Sequence, residues 1–243
     1  MSTAPADLPV HRLIVWRHGR TEWNATGRFQ GQLDPPLDEE GRRQAAQVAP
    51  LLAAGLPRDE TVVVSSDLTR AVETASALTA VLGVDLRIDP RLREHGLGCW
   101  EGLTRDEVAE RYPEQFADWR AGHPVRGRGG EEAGQVAERA VAALADLPEA
   151  PAAVVVTHGG TAGRLLEALL GLDADLRRVF GPLGNCSWSE LVLQSGHWRL
   201  VRHNAWVPQP VEGSGPPPRA TVRAGASPEE GGAASGSDAD AVL

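Results

Sequence analysis

The chain has 243 residues, 42 % of them hydrophobic, enough for one sizeable α/β domain with its own core. Its net charge of −9 and pI near 5.3 argue against a nucleic-acid binder, which needs a basic surplus, and against a polybasic membrane anchor. All 24 basic side chains are arginine. The total reads as coding bias beside abundant Ala, Gly and Pro; a phosphate-gripping role belongs only to particular positions. Cys99 and Cys186 stand far apart without CxxC spacing, so no disulfide framework is expected and a reducing cytoplasm fits. No zinc pattern such as HExxH, no signal peptide and no apolar run of about 20 residues is present.

In chain order, Leu13-Ile14-Val15-Trp16 predicts a buried strand over 11–16, followed by a polar loop ending at Asp34-Pro35-Pro36. Asp38 can cap a helix over 39–55, which Pro50 should kink or shorten. Thr61–Ser65 is a second strand. Ser66 or Asp67 then caps a helix whose stripe is Leu68, Ala71, Val72, Ala75, Leu78 and Leu82, ended by Gly83. Val84–Ile88 is a third strand, and 89–130 is less regular, with helices near 104–111 and 113–120. A helix over 132–146, a strand Ala152–Thr157 and a helix Thr161–Leu170 stopped by Gly171 follow. Strands at 187–194 and 197–203 form a hairpin around Ser195-Gly196. Residues 1–9 are expected to be flexible. From Val207 the chain turns rich in Pro, Gly, Ser and Ala and is expected to be disordered, leaving a domain of 10–206.

Strands alternating with helices predict a three-layer α/β/α fold with a mostly parallel central sheet. Ligands in such folds bind beyond the carboxyl ends of the strands. Strand one ends at Arg17-His18, strand two leads to Arg70 and strand four ends at His158, so three distant segments deliver basic side chains to one sheet edge.

Each segment alone is ambiguous. A neutral imidazole at His18 is a good nucleophile toward phosphorus, and Gly19 would let backbone approach an anion; a surface loop histidine is the bland alternative. Arg70 in a first helical turn suits an anion, or a pair with Glu73. Glu94 suits proton transfer to a departing alkoxide, although alone it cannot be told from Glu101. His158, between a buried strand and a helix start, is either a charged stabiliser of a phosphoryl group or a structural histidine.

Together the strings Arg17-His18-Gly19-Arg20-Thr21-Glu22-Trp23-Asn24, Arg28-Phe29-Gln30-Gly31, Ser66-Asp67-Leu68-Thr69-Arg70-Ala71, Glu94 and Thr157-His158-Gly159 closely resemble the histidine phosphatase superfamily, the phosphoglycerate-mutase-like group. The resemblance covers about 190 residues. It implies a phosphohistidine route with His18 as nucleophile, Glu94 as acid and base, and His158 as a protonated stabiliser. Arg17, Asn24, Gln30, Gly31, Arg70 and Gly159 would hold the substrate and its phosphate. His95 and the other histidines take no catalytic part. No metal and no cofactor are implied. The expected partner is a small phosphorylated metabolite, with neither nucleic acid nor membrane, and a homodimer is open.

The compact segment Glu94–Gly102 and the pocket loop Phe29–Asp34 resemble the phosphatase branch rather than phosphoglycerate mutases. Gln30–Asp34, Ser65–Leu68, Gly184-Asn185-Cys186-Ser187-Trp188 and Asn204-Ala205 resemble members acting on a glycerate phosphate that carries a sugar. Those members often have Gly-Glu-Ser before the helix near 132, where this chain has Glu131-Glu132. A mutase, an α-ribazole phosphatase and an inactive phospho-ligand binder are the alternatives.

Overall fold

The computed structural model describes residues 8–172, Leu176 and 179–207. The expectations for residues 1–7 and for the tail from 208 onward lie outside these. Leu8 belongs to one buried core cluster and Val207 packs against another.

The sheet is built from β1 (Val10–Arg17), β2 (Thr61–Ser65), β3 (Leu86–Ile88), β4 (Ala150–Thr157), β5 (Trp188–Gln194) and β6 (His197–Ala205), in the order β3-β2-β4-β1-β5-β6. The first four in that order run parallel, and β5 pairs antiparallel with both β1 and β6. The helices are α1 (Glu22–Ala25), α2 (Glu39–Ala54), α3 (Thr69–Leu82), α4 (Arg105–Arg111), α5 (Pro113–Ala121), α6 (Ala133–Ala145) and α7 (Gly159–Leu170).

Alternation along β1 decides the layers. Leu13 and Val15 face α6 and α7, while Ile14 and Trp16 face α2 and α3. Phe29, Leu97, Trp100 and Val108 make a smaller core beneath α4 and α5. The hairpin turns through Ser195 and Gly196 at φ of 53° and 75°, the twist-matched type.

Five details depart from expectation. Pro50 does not shorten α2, because both Pro50 and Ala46, whose carbonyl loses its donor, lie on the exposed face where water can serve. The α3 cap is neither Ser66 nor Asp67. Leu68 occupies the N-cap, and Asp34 from the pocket loop accepts from the Thr69 amide and hydroxyl, both at 2.7 Å. β3 begins at Leu86 rather than Val84, and α7 begins two residues early, at Gly159. The loop after β1 also contains the unforeseen α1, which Thr21 and Asn24 close reciprocally as a capping box.

Candidate active site

Residues Arg17 and Thr157 are parallel partners at the ends of β1 and β4, so the next residue on each strand is a histidine. The His18 amide donates to the Thr157 carbonyl at 2.9 Å, which holds the two chains together past the strand ends. The His18 and His158 rings consequently lie 5.0 Å apart, centroid to centroid. Both are fully buried, as are Arg17 and Arg70.

Arg17 donates to the Leu183 carbonyl at 2.6 Å. Arg70 donates to the carbonyls of Gly31 at 2.8 Å and Leu33 at 2.7 Å, with Asp34 at 3.9 Å. Glu73, the alternative partner, pairs with Arg42 instead. Burial first, then the fields of Arg70 and Arg17, hold His18 well below the ordinary histidine pKa. His18 Nδ1 lies 2.7 Å from the Gly19 carbonyl, which can only accept. Nδ1 therefore carries the proton, and Nε2 is left with its lone pair.

His158 is held down in the same way, by burial and then by Arg70, His18 and Arg17. The two buried guanidinium groups beside the ring disfavour its charged form.

Asn24 and Gln30 are both buried. The Thr21 hydroxyl lies 3.1 Å from Asn24 Oδ1 and 3.0 Å from Gln30 Oε1. The sequence alone assigns no role to Asn185. Its amide donates to the His18 and Gly19 carbonyls, at 3.3 and 3.4 Å, and to Asn24 Oδ1 at 3.1 Å. Gly19 serves the fold in a way the sequence did not suggest. A β-carbon there would lie 2.5 Å from the Gly41 carbonyl oxygen, so this glycine lets the loop touch the start of α2.

Glu94 is buried at the start of α7. One carboxylate oxygen accepts from the amides of His95 at 2.7 Å and Thr161 at 2.9 Å; the other accepts from Gly160 at 3.0 Å. A side chain at Gly160 would collide with it. Glu101, by contrast, fastens the amides of Leu97 and Gln32, and Arg93 pairs with Asp67. Behind Glu94 stands a clamp that the sequence reading missed. Arg139 donates to the carbonyls of Arg91, Arg93 and Glu94 and grips Glu131 with two nitrogens. Glu131 also accepts from Gly96 and Gln32. At the departing position 132, the Glu132 amide is capped by the Gln135 side chain at 2.9 Å, so the missing serine is replaced by a different helix cap.

Among the described residues, no group of three His, Cys, Asp or Glu side chains is placed to hold a metal ion, and no helix is long and apolar enough to cross a membrane.

Residues 13–205 match the family described as the histidine phosphatase superfamily (branch 1). The chain belongs to the histidine phosphatase superfamily. It is a phosphoric monoester hydrolase that takes a small phosphorylated substrate. This phosphatase is similar to the glucosyl-3-phosphoglycerate phosphatase of Mycolicibacterium vanbaalenii, with 41 % identity over 206 residues, 79 % of this chain and 87 % of that protein. It is also 40 % identical to a probable phosphoglycerate mutase, GpmB, of Cronobacter sakazakii over 205 residues, 81 % of this chain and 90 % of the other. The solved mycobacterial glucosyl-3-phosphoglycerate phosphatase complexed with VO3 superposes with a TM-score of 0.71 at 39 % identity, covering 80 % of this phosphatase and 99 % of that chain.

Proposed function

We propose that this phosphatase hydrolyses glucosyl-3-phosphoglycerate in the cytoplasm through a phosphohistidine at His18. The observation that carries the route is the Nδ1–Gly19 contact, which leaves Nε2 as a neutral nucleophile beside two guanidinium groups. The substrate phosphate settles among Arg17, Arg70, Asn24, Gln30, His158 and the backbone at Gly31 and Gly159. His18 Nε2 attacks phosphorus as the ester P–O bond breaks, and Glu94 protonates the leaving alkoxide. Water then attacks the phosphohistidine, Glu94 takes its proton, and the P–N bond breaks to release phosphate. Fixed cations stabilise the transferring group throughout.

The substrate assignment rests on the similarity to phosphatases of that name and on the strings Gln30–Asp34, Ser65–Leu68, Gly184–Trp188 and Asn204-Ala205. A mutase must keep water out, and its proposed counterpart here lacks support from the pocket loop Phe29–Asp34. The test is hydrolysis of a panel of phosphomonoesters in EDTA. Glucosyl-3-phosphoglycerate should show the highest kcat/KM with release of inorganic phosphate. Phosphoryl transfer to another hydroxyl without net release would overturn the hydrolase reading.

The clamp yields a separate expectation. Arg139→Met should loosen the Glu94 backbone and lower kcat about tenfold or more on an alkyl phosphate. The loss on p-nitrophenyl phosphate, whose leaving group needs little protonation, should be several-fold smaller. Equal losses on the two esters would show that the clamp serves folding alone.

A further inference from the structure

Arg17 leans on a peptide unit that a second residue holds from behind. Its Nη1 donates to the Leu183 carbonyl at 2.6 Å. Across the same peptide bond, the Gly184 amide donates to Asn204 Oδ1 at 2.9 Å. A trans peptide is planar and stiff, with its C=O and N–H on opposite edges. The Leu183–Gly184 plane is therefore gripped on one edge by Arg17 and on the other by Asn204. Turning that plane would swing the Leu183 oxygen away from the guanidinium.

The backbone around Asn204 is shaped for this contact. Trp188 pairs with Ala205 and Glu190 with Arg202, so β6 carries one residue more than β5 over that interval. Such a bulge takes a side chain out of the regular pleat and re-aims it. Asn204 stands in the bulge at φ of 48°, in the left-handed region that asparagine enters more readily than most residues. The loop it meets has other anchors. His203 Nε2 lies 2.7 Å from the Gly181 carbonyl, and the Leu183 side chain is packed in the core. Loss of the Asn204 amide would thus free the peptide plane while the loop stays attached. We propose that Asn204 is a positioning residue for the phosphate grip, holding the Leu183–Gly184 peptide so that its oxygen orients the Arg17 guanidinium. This rests on the reading of Arg17 as a phosphate ligand and extends it to the edge strand of the sheet.

A double-mutant cycle on p-nitrophenyl phosphate hydrolysis tests it. Asn204→Gly withdraws the acceptor and leaves a backbone free to keep the left-handed turn. It should lower kcat/KM about tenfold, the scale of a small misplacement of a binding group. Asn204→Asp keeps an acceptor for the Gly184 amide and should stay close to the wild-type value. In an Arg17→Met background the guanidinium is gone, and Asn204→Gly should then cost about twofold or less. An unaffected Asn204→Gly overturns the proposal. So does an Asn204→Asp that loses as much as Asn204→Gly. The same loss with and without Arg17 also overturns it, because Asn204 would then serve the fold alone. If Asn204→Gly fails to fold, Asn204→Ser, whose shorter side chain stops short of the amide, takes its place in the cycle. An Arg17→Met protein with wild-type kcat/KM would overturn the reading of Arg17 itself. A crippled Arg17→Met beside an intact Asn204→Gly overturns only the role of Asn204.

Discussion

Replacing His18 with Ala should lower kcat by about 10⁴-fold or more and eliminate the phosphoenzyme, because the substitution removes the only group proposed to bond to phosphorus. Rapid quenching with ³²P-labelled substrate should trap an acid-labile, base-stable label on the wild type and none on the variant. The cavity left is small beside the remaining core, and Arg17, Asn185 and the β1–β4 ladder do not depend on the imidazole. The circular dichroism spectrum should therefore be native. A variant that keeps more than a few per cent of activity would refute the nucleophile.

Arg70→Met should be nearly as damaging and for two reasons that can be separated. The guanidinium is fully buried and spans the carbonyls of Gly31 and Leu33, so it shapes the pocket loop as well as charging the site. Loss of a fixed cation aimed at the phosphoryl oxygens should cost about 10³-fold in kcat/KM. The buried Gly31 carbonyl left without its donor should cost about 1–3 kcal/mol of stability, and the more exposed Leu33 carbonyl less. Arg70→Lys keeps the charge but cannot span both oxygens, so it should recover part of the rate and little of the melting temperature. A variant that melts early yet hydrolyses at the wild-type rate would reduce Arg70 to a loop anchor.

The parts of this site legible in the sequence are those written into contiguous strings. Apolar runs ending in Arg17-His18 and Thr157-His158 placed both imidazoles at strand ends, and the stripe from Leu68 to Leu82 placed Arg70 near a helix start. What stayed hidden depends on partners far along the chain. Asn185 reaches His18 across 167 positions, and Arg139 reaches Glu94 across 45. The α3 cap comes from Asp34, 35 positions away, so a search among the preceding residues could only suggest Ser66 or Asp67. Charge state was hidden for a different reason. The downward pull on the His158 pKa is a collective effect of burial and of Arg70, His18 and Arg17, which no local string contains.

The pairing of Arg17 with Thr157 has a consequence for how this enzyme tolerates change. Each imidazole stands one residue beyond a paired position, so the distance between them is inherited from the backbone ladder rather than negotiated by side chains. A one-residue slippage of β1 would displace His18 by about 3.3 Å and exchange the two buried faces of the strand at once. Misalignment of the chemistry is therefore as improbable as misfolding of the sheet, and mutational drift elsewhere leaves the reacting groups in place as long as the molecule folds at all.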